Sequence, residues 1–332
     1  MKILIVAPSW IGDTILAQPL FMRLHDLHPN LALEVLAPAW SAPILARMPE
    51  VRRVHDNPFA HGDFKLLARR RLGRKLRGEG YDAAIVLPNS WKSALVPFFA
   101  GIPQRIGYTG EGRIGLLNRR HALEPTALPQ LAQRYLRLAE AAGSTSPPGA
   151  PLPQPRLIST PAQQRAARLS LALPLDAMPA IFCPGAEFGP AKRWPARHYA
   201  ELARRLAAEN QPVWLVGSDK DRALGEEITQ LAQGAALNLC GRSTLEQALD
   251  LIASSRLVVS NDSGLMHVAA ALDRPLIALY GSSSPTYTPP LSSRAKILTL
   301  NTDCSPCFKR VCPLRHFTCL EDLTPEAVLK QL

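Results

Sequence analysis

Three times along this chain a short apolar run ends in a turn-forming loop and passes into a helix start, and that repetition fixes the architecture. Residues 2–7, KILIVA, lead through Pro8-Ser9-Trp10-Ile11-Gly12-Asp13-Thr14 into a helical segment running to about residue 27. Residues 180–183, AIFC, end at Pro184 and Gly185, and Pro195 stands where the first turn of a helix over 198–206 would begin. Residues 257–259 pass through Asn261-Asp262-Ser263-Gly264 into a helix over 265–272. Further strand-like runs at 33–36, 83–87, 213–216 and 276–279 alternate with helical segments. Strands alternating with helices make parallel, doubly wound α/β sheets.

Residues 144–155, STSPPGAPLPQP, cannot continue a helix and are too proline-rich for a central strand, so they read as a semi-rigid linker. The expectation is two Rossmann-like domains, 1–150 and 151–332, facing each other across a cleft, with ligands at the carboxyl ends of the strands that line it. Asp13, Lys192 and Asp262 all follow strands on that rim.

Composition suits a soluble enzyme: 332 residues, 47% hydrophobic and 20% charged, give about two domains of ordinary size. No run approaches the roughly 18 apolar residues of a membrane span. The first apolar run is too short for a signal peptide and turns at Pro8, which points to the cytoplasm. The net charge of +11 is unevenly placed, with Lys65, Arg69, Arg70, Arg71, Arg74, Lys75 and Arg77 crowded together behind Arg52 and Arg53. Such a stretch can be a solvated helix face, a nucleic-acid patch, or a surface for an anionic substrate or membrane. No zinc-finger or RNP-like signature accompanies it, so nucleic acid is the weakest of the three. A membrane-embedded anionic acceptor would explain both the basic patch and peripheral attachment without an anchor.

The loop PGAEFGPAKRWP looks built to hold an anion. Its glycines let the backbone approach a ligand, the helix start offers unpaired N–H groups, and Lys192 supplies a point charge suited to phosphate. At the third unit Asp262 or Ser263 can cap the helix, or its N–H groups and Gly264 can cradle a pyrophosphate. His267 lies one turn in, on the side of Gly264, where it can donate to a phosphate oxygen or simply be packed. Asp219-Lys220-Asp221 can cap a helix or bind a ribose hydroxyl. Cys183 and Cys240 read as buried thiols. Cys304, Cys307, Cys312 and Cys319 have a spacing that can serve zinc or an iron-sulfur cluster, but it departs from the usual structural zinc pairing, and a reduced, packed cluster with no metal is the expectation. No G-x-G-x-x-G follows the first strand, which argues against a dinucleotide site.

Together, Ile11-Gly12-Asp13-Thr14, the PGAEFGPAKRWP loop, NDSGLMH and the CxPCFKRxCP run resemble glycosyltransferase family 9, the ADP-heptose:lipopolysaccharide heptosyltransferases, over essentially the whole chain. PGAEFGPAKRWP, LPNSWKSALVPFFAGIP from Leu87 and the cysteine run are most similar to the type II branch. The resemblance implies a GT-B fold and inverting transfer from ADP-L-glycero-beta-D-manno-heptose, with no further cofactor. The implied acceptor is heptosyl-Kdo2-lipid A, whose first heptose receives the new sugar at the cytoplasmic face of the inner membrane; the enzyme would be a peripheral monomer. It further implies Asp13 as general base and Lys192 at the donor phosphates, with Gly12, Asp262, Ser263, Gly264 and His267 completing the donor cradle. Asp219 and Asp221 are candidates for the ribose, and Arg69, Arg70 and Arg71 for acceptor phosphates or carboxylates. The final helix is allowed to pack back on the first domain. Two alternatives stay open: a type I or III enzyme acting on another core acceptor, and a non-catalytic module that binds a nucleotide or glycolipid.

Overall fold

Each half of the chain lays its apolar runs side by side as a parallel six-stranded sheet. The computed structural model describes residues 1–60, 62–141 and 152–332, so most of the proline-rich segment 144–155, read above as a linker, lies outside the described residues. The chain divides into two compact units, Met1–Pro155 and Arg156–Leu332. The first unit contains β1 (Lys2–Val6), β2 (Ala32–Ala37), β3 (Arg53–Asp56), β4 (Ala83–Val86), β5 (Gln104–Tyr108) and β6 (Arg119–His121). The second contains β7 (Ala180–Cys183), β8 (Val213–Leu215), β9 (Ala236–Asn238), β10 (Leu257–Asn261), β11 (Leu276–Tyr280) and β12 (Ala295–Thr299).

The spatial orders are β3-β2-β1-β4-β5-β6 and β12-β11-β10-β7-β8-β9. These are one order used twice, and strand order reverses at the β1/β4 pair in one unit and the β7/β10 pair in the other. Loops leaving the carboxyl ends of those pairs diverge to opposite faces, which opens a crevice for a ligand. The central strands are apolar on both faces because helices cover both sides. Ile3, Leu4 and Ile5 of β1, and all five residues of β11, are at most 1% exposed. In the second unit the helix Ala196–Ala208 buries Tyr199, Ala200, Leu202, Ala203 and Leu206, the three-and-four spacing of a single helix stripe. Burying one such leucine contributes about 1.5–3 kcal/mol.

One departure from the sequence reading has a local cause. The first long helix is two, Ile11–Leu16 and Gln18–Leu27, joined at Ala17. Pro19 has no N–H to donate to Ile15, so the ladder is interrupted there. The C-terminal helix Pro325–Leu329 is part of the second unit. It buries Val328 in that unit's core, and Glu326 meets Arg205 at 2.9 Å. The indole N–H of the fully buried Trp194 donates to Leu323 O at 2.6 Å and draws this terminal segment in.

Candidate active site

In the second unit the anion loop leaves β7, and Asp262 follows the neighbouring strand β10. The buried Asn261 ties the two together. Its amide N–H donates to Pro184 O at 2.7 Å, and its Oδ1 accepts from the Trp194 backbone N–H at 3.0 Å and from Tyr199 Oη at 3.1 Å. So held, the loop carries Lys192 on a single tight turn, Pro190–Lys192, with its ammonium 2.5 Å from Asp262 Oδ2 and 5.0 Å from the centre of the Phe188 ring. Ser283 Oγ donates to the same Asp262 oxygen. The pair is largely withdrawn from water, with side chains 17% and 5% exposed.

Beside this pair begins the helix Gly264–Ala271. Ser263 occupies its N-cap position in extended conformation, yet its side chain accepts no cap hydrogen bond and lies 3.3 Å from Ser260 Oγ. The capping role considered for Ser263 is therefore not what its hydroxyl does. The first turn keeps N–H groups available for an anion, which the helix dipole favours. His267 is buried, and desolvation pushes its pKa down to about 4 against the pull of Asp262, so it is neutral near pH 7. Its Nδ1, Ser282 Oγ and Arg193 Nε are buried and have no hydrogen-bond partner among the described residues. Polar atoms left unpaired beside a lysine and an open helix start suit a polar, anionic ligand.

Asp219 and Asp221 are separated by this geometry. Asp221 Oδ2 accepts from the Ser218 backbone N–H at 3.0 Å and from Ser218 Oγ at 2.8 Å, closing a capping box. The carboxylate also packs so tightly on Gly185 that a Cβ there would sit 2.5 Å from it. Asp221 thus takes the capping alternative through its Oδ2. Asp219 is exposed and meets Arg222 at 2.7 Å. All six cysteines are free thiols. Burial raises Cys183 and pushes Cys240 up to about 12. The four C-terminal cysteines line one small cavity, and among the described residues no group of three or more His, Cys, Asp or Glu side chains is arranged to hold a metal ion.

In the first unit Gly12 and Asp13 lie in the first turn of Ile11–Leu16, directly beyond the carboxyl end of β1. Thr14 Oγ1 donates to Trp10 O at 2.9 Å and fixes that turn. Three tryptophans that the sequence reading passed over stand on the loops after adjacent strands: Trp10 after β1, Trp40 after β2 and Trp91 after β4. They are 48%, 54% and 37% exposed. Trp40 Nε1 donates to Ser9 O at 3.0 Å, which links two of these loops. The loop after β4 is braced by the buried Arg113, which donates to Pro88 O at 2.9 Å and to Asn89 Oδ1 at 3.2 Å. A tryptophan in the loop after each of three apolar strand-like runs was the signal that could have found them.

Of the arginines assigned to an acceptor, Arg69 is corrected. It is buried, donates to Phe64 O, Asp63 O and Lys92 O, and lies 4.1 Å from the centre of the Phe59 ring. Arg70 and Arg71 point outward from the helix Leu66–Arg77 together with Arg74, Lys75 and Arg77.

The model of glycosyltransferase family 9 (heptosyltransferase) matches residues 69–318. Lipopolysaccharide heptosyltransferase 2 of Salmonella typhimurium is 46% identical over 339 residues, covering 100% of this chain and 97% of the relative. Lipooligosaccharide heptosyltransferase 2 of Haemophilus influenzae is 50% identical over 310 residues, covering 90% of this chain and 89% of the relative. The solved structure of E. coli ADP-heptose lps heptosyltransferase II matches with a TM-score of 0.89 at 44% identity, over 100% of this chain and 97% of that one. The two doubly wound units are the GT-B architecture that the sequence led us to expect. With a family match over most of its length and relatives this similar end to end, the chain belongs to glycosyltransferase family 9, the heptosyltransferases.

Proposed function

We propose that this chain transfers L-glycero-D-manno-heptose from ADP-heptose to the first heptose of the lipopolysaccharide inner core, with inversion at the anomeric carbon. The observation that carries the reading is Lys192, held 2.5 Å from Asp262 beside an N-cap that makes no side-chain cap bond, at the β7/β10 reversal. A lysine and open backbone N–H groups receive the diphosphate of a nucleotide sugar as it departs. The choice of acceptor is supported by the similarity to type 2 enzymes of the family.

In this reaction Asp13 accepts the proton of the acceptor hydroxyl. The hydroxyl oxygen bonds to the anomeric carbon while the bond from that carbon to the diphosphate breaks, and ADP leaves. Lys192 and the start of Gly264–Ala271 carry the charge that develops on the leaving group. Asp262, itself an anion, orients Lys192 and offers its remaining oxygen to heptose hydroxyls. His267, neutral, lines the cradle. Trp10 and Trp40 offer ring faces to the sugars of the acceptor.

No described helix is long and apolar enough to cross a membrane. The outward arginines and lysine of Leu66–Arg77, with Leu67 75% exposed among them, suit peripheral contact with the anionic face of the inner membrane. The test is incubation of purified protein with ADP-heptose and Kdo2-lipid A bearing no heptose or one, following ADP release and product mass. Transfer to the one-heptose acceptor alone is expected. Transfer to the heptose-free acceptor would assign a type I activity, and binding of ADP-heptose without transfer would leave a non-catalytic module.

A further inference from the structure

Cys304, Cys307, Cys312 and Cys319 converge on one cavity of about 20 Å³. That is room for about one water molecule, and Cys319, its pKa raised first by burial, is also raised by the nearby Cys304, Cys307 and Cys312. All four are partly buried free thiols. The segment that carries them also grips the anion loop and the loop that leaves β11. The Ala191 N–H donates to Arg310 O at 3.1 Å, and the Phe308 N–H donates to Ser282 O at 2.7 Å. Ser305 Oγ donates to Gly281 O at 2.5 Å, and the Arg310 guanidinium lies 5.4 Å from the centre of the Phe188 ring. Contact is close enough that a Cβ on Gly189, whose φ is +149°, would meet Arg310 O at 2.5 Å. A change in the cysteine segment therefore reaches Lys192 through its own loop.

Within the cluster Cys312 is set apart. The backbone N–H groups of Phe317, Leu314, Arg315 and His316 turn toward its sulfur, in a stretch that also carries Lys309 and Arg310. Burial opposes ionisation of this thiol, but the N–H donors outweigh it and hold its pKa below the usual thiol value. Cys183 and Cys240, by contrast, are raised by burial. A partly exposed thiol whose ionisation is eased by N–H donors, with other thiols beside it, has the surroundings of an oxidant-reactive cysteine.

We infer that Cys312 is an oxidation site that forms a disulfide with one of the three thiols sharing its cavity, and that this bond loosens the loop that presents Lys192. The oxidant is a hydroperoxide. The Cys312 thiolate attacks one peroxide oxygen, forming an S–O bond as the O–O bond breaks, and the departing hydroxide takes a proton to become water. A neighbouring thiolate then attacks that sulfur, forming the S–S bond as the S–O bond breaks, and a second water leaves. Two thiols lose two electrons and one hydrogen peroxide becomes two waters. Drawing two sulfurs to bonding distance moves the backbone at Phe308 and Arg310, which hold Ser282 and Ala191.

The experiment treats the purified full chain with about one equivalent of hydrogen peroxide and maps its thiols by mass spectrometry, with Cys312→Ser alongside. The expected product is about 2 Da lighter, has Cys312 in the linked peptide and returns to the starting mass with dithiothreitol. ADP affinity, measured by calorimetry and resting on the donor-site reading above, falls on oxidation and recovers on reduction. Cys312→Ser keeps both its mass and its affinity under the same treatment. A disulfide that lacks Cys312, equally slow alkylation of all six thiols, or a co-purifying metal ion that shields the four overturns the oxidation site. A Cys312 disulfide with unchanged ADP affinity overturns its coupling to the loop. Because the mass readout needs no heptosyl transfer, failure of the activity assignment would be seen separately.

Discussion

Lys192 stands 70 residues before Asp262 in the chain, yet its ammonium rests 2.5 Å from Asp262 Oδ2. The fold makes this contact: β7 and β10 pair in parallel, and the residues that leave their carboxyl ends meet. An ion pair so nearly withdrawn from water holds the lysine in place before any donor arrives, so its charge needs little rearrangement to meet a diphosphate.

Replacing Lys192 with methionine removes the cation and leaves the Asp262 carboxylate, among the described residues, with Ser283 as its side-chain partner. Transfer should fall by about 10²- to 10³-fold in kcat/KM, the usual effect of losing one preorganised charge donor. Thermal unfolding of the same variant should show a smaller, separate loss, because an unpaired buried carboxylate destabilises a fold. Transfer within a few-fold of wild type would remove Lys192 from the chemistry.

His267 carries a pH signature. Burial lowers its pKa from 6.5 to about 4. As pH falls, the unfolded chain takes up this proton before the folded one does. The stabilisation is therefore complete above about pH 6.5 and is lost progressively toward pH 4. Unfolding midpoints measured from pH 7 to pH 4 should fall less steeply in His267→Gln than in wild type, and a parallel pair of curves would contradict the burial argument.

The basic helix Leu66–Arg77 divides by face. Exchanging Arg70, Arg71 and Arg74 together for glutamine should raise acceptor KM and flatten its salt dependence with little change in stability. Arg69→Gln should do the reverse. It leaves the carbonyls of Phe64, Asp63 and Lys92 without their donor, a cost of about 1–3 kcal/mol, with acceptor KM nearly unchanged. Equal behaviour of the two variants would show that the buried and exposed arginines are not functionally distinct.

The central strands other than β5, whose QRIGY is too polar to stand out, were legible in sequence because parallel sheets bury both faces: AIFC is β7 to the residue, and KILIVA overruns β1 by one. The outer strands were not. β3 is RVHD, β6 is RRH and β9 is ALN, and these short or polar edge segments present no apolar run to find. At the site, residue types were legible while partnerships were not. Spacing marks Lys192 and Asp262 as candidates for one ligand, but nothing in it joins them or shows that Asn261 ties their loops. Nor can charge alone tell Arg69, turned inward onto carbonyls and a phenyl ring, from its neighbours Arg70 and Arg71.

The most direct test of the account compares wild type with Asp13→Asn in heptosyl transfer to the one-heptose acceptor, with ADP affinity measured in parallel by calorimetry. The account predicts that kcat falls by about 10²- to 10⁴-fold, as for a lost general base, while ADP binds unchanged. Transfer by the asparagine variant at close to the wild-type rate would contradict it.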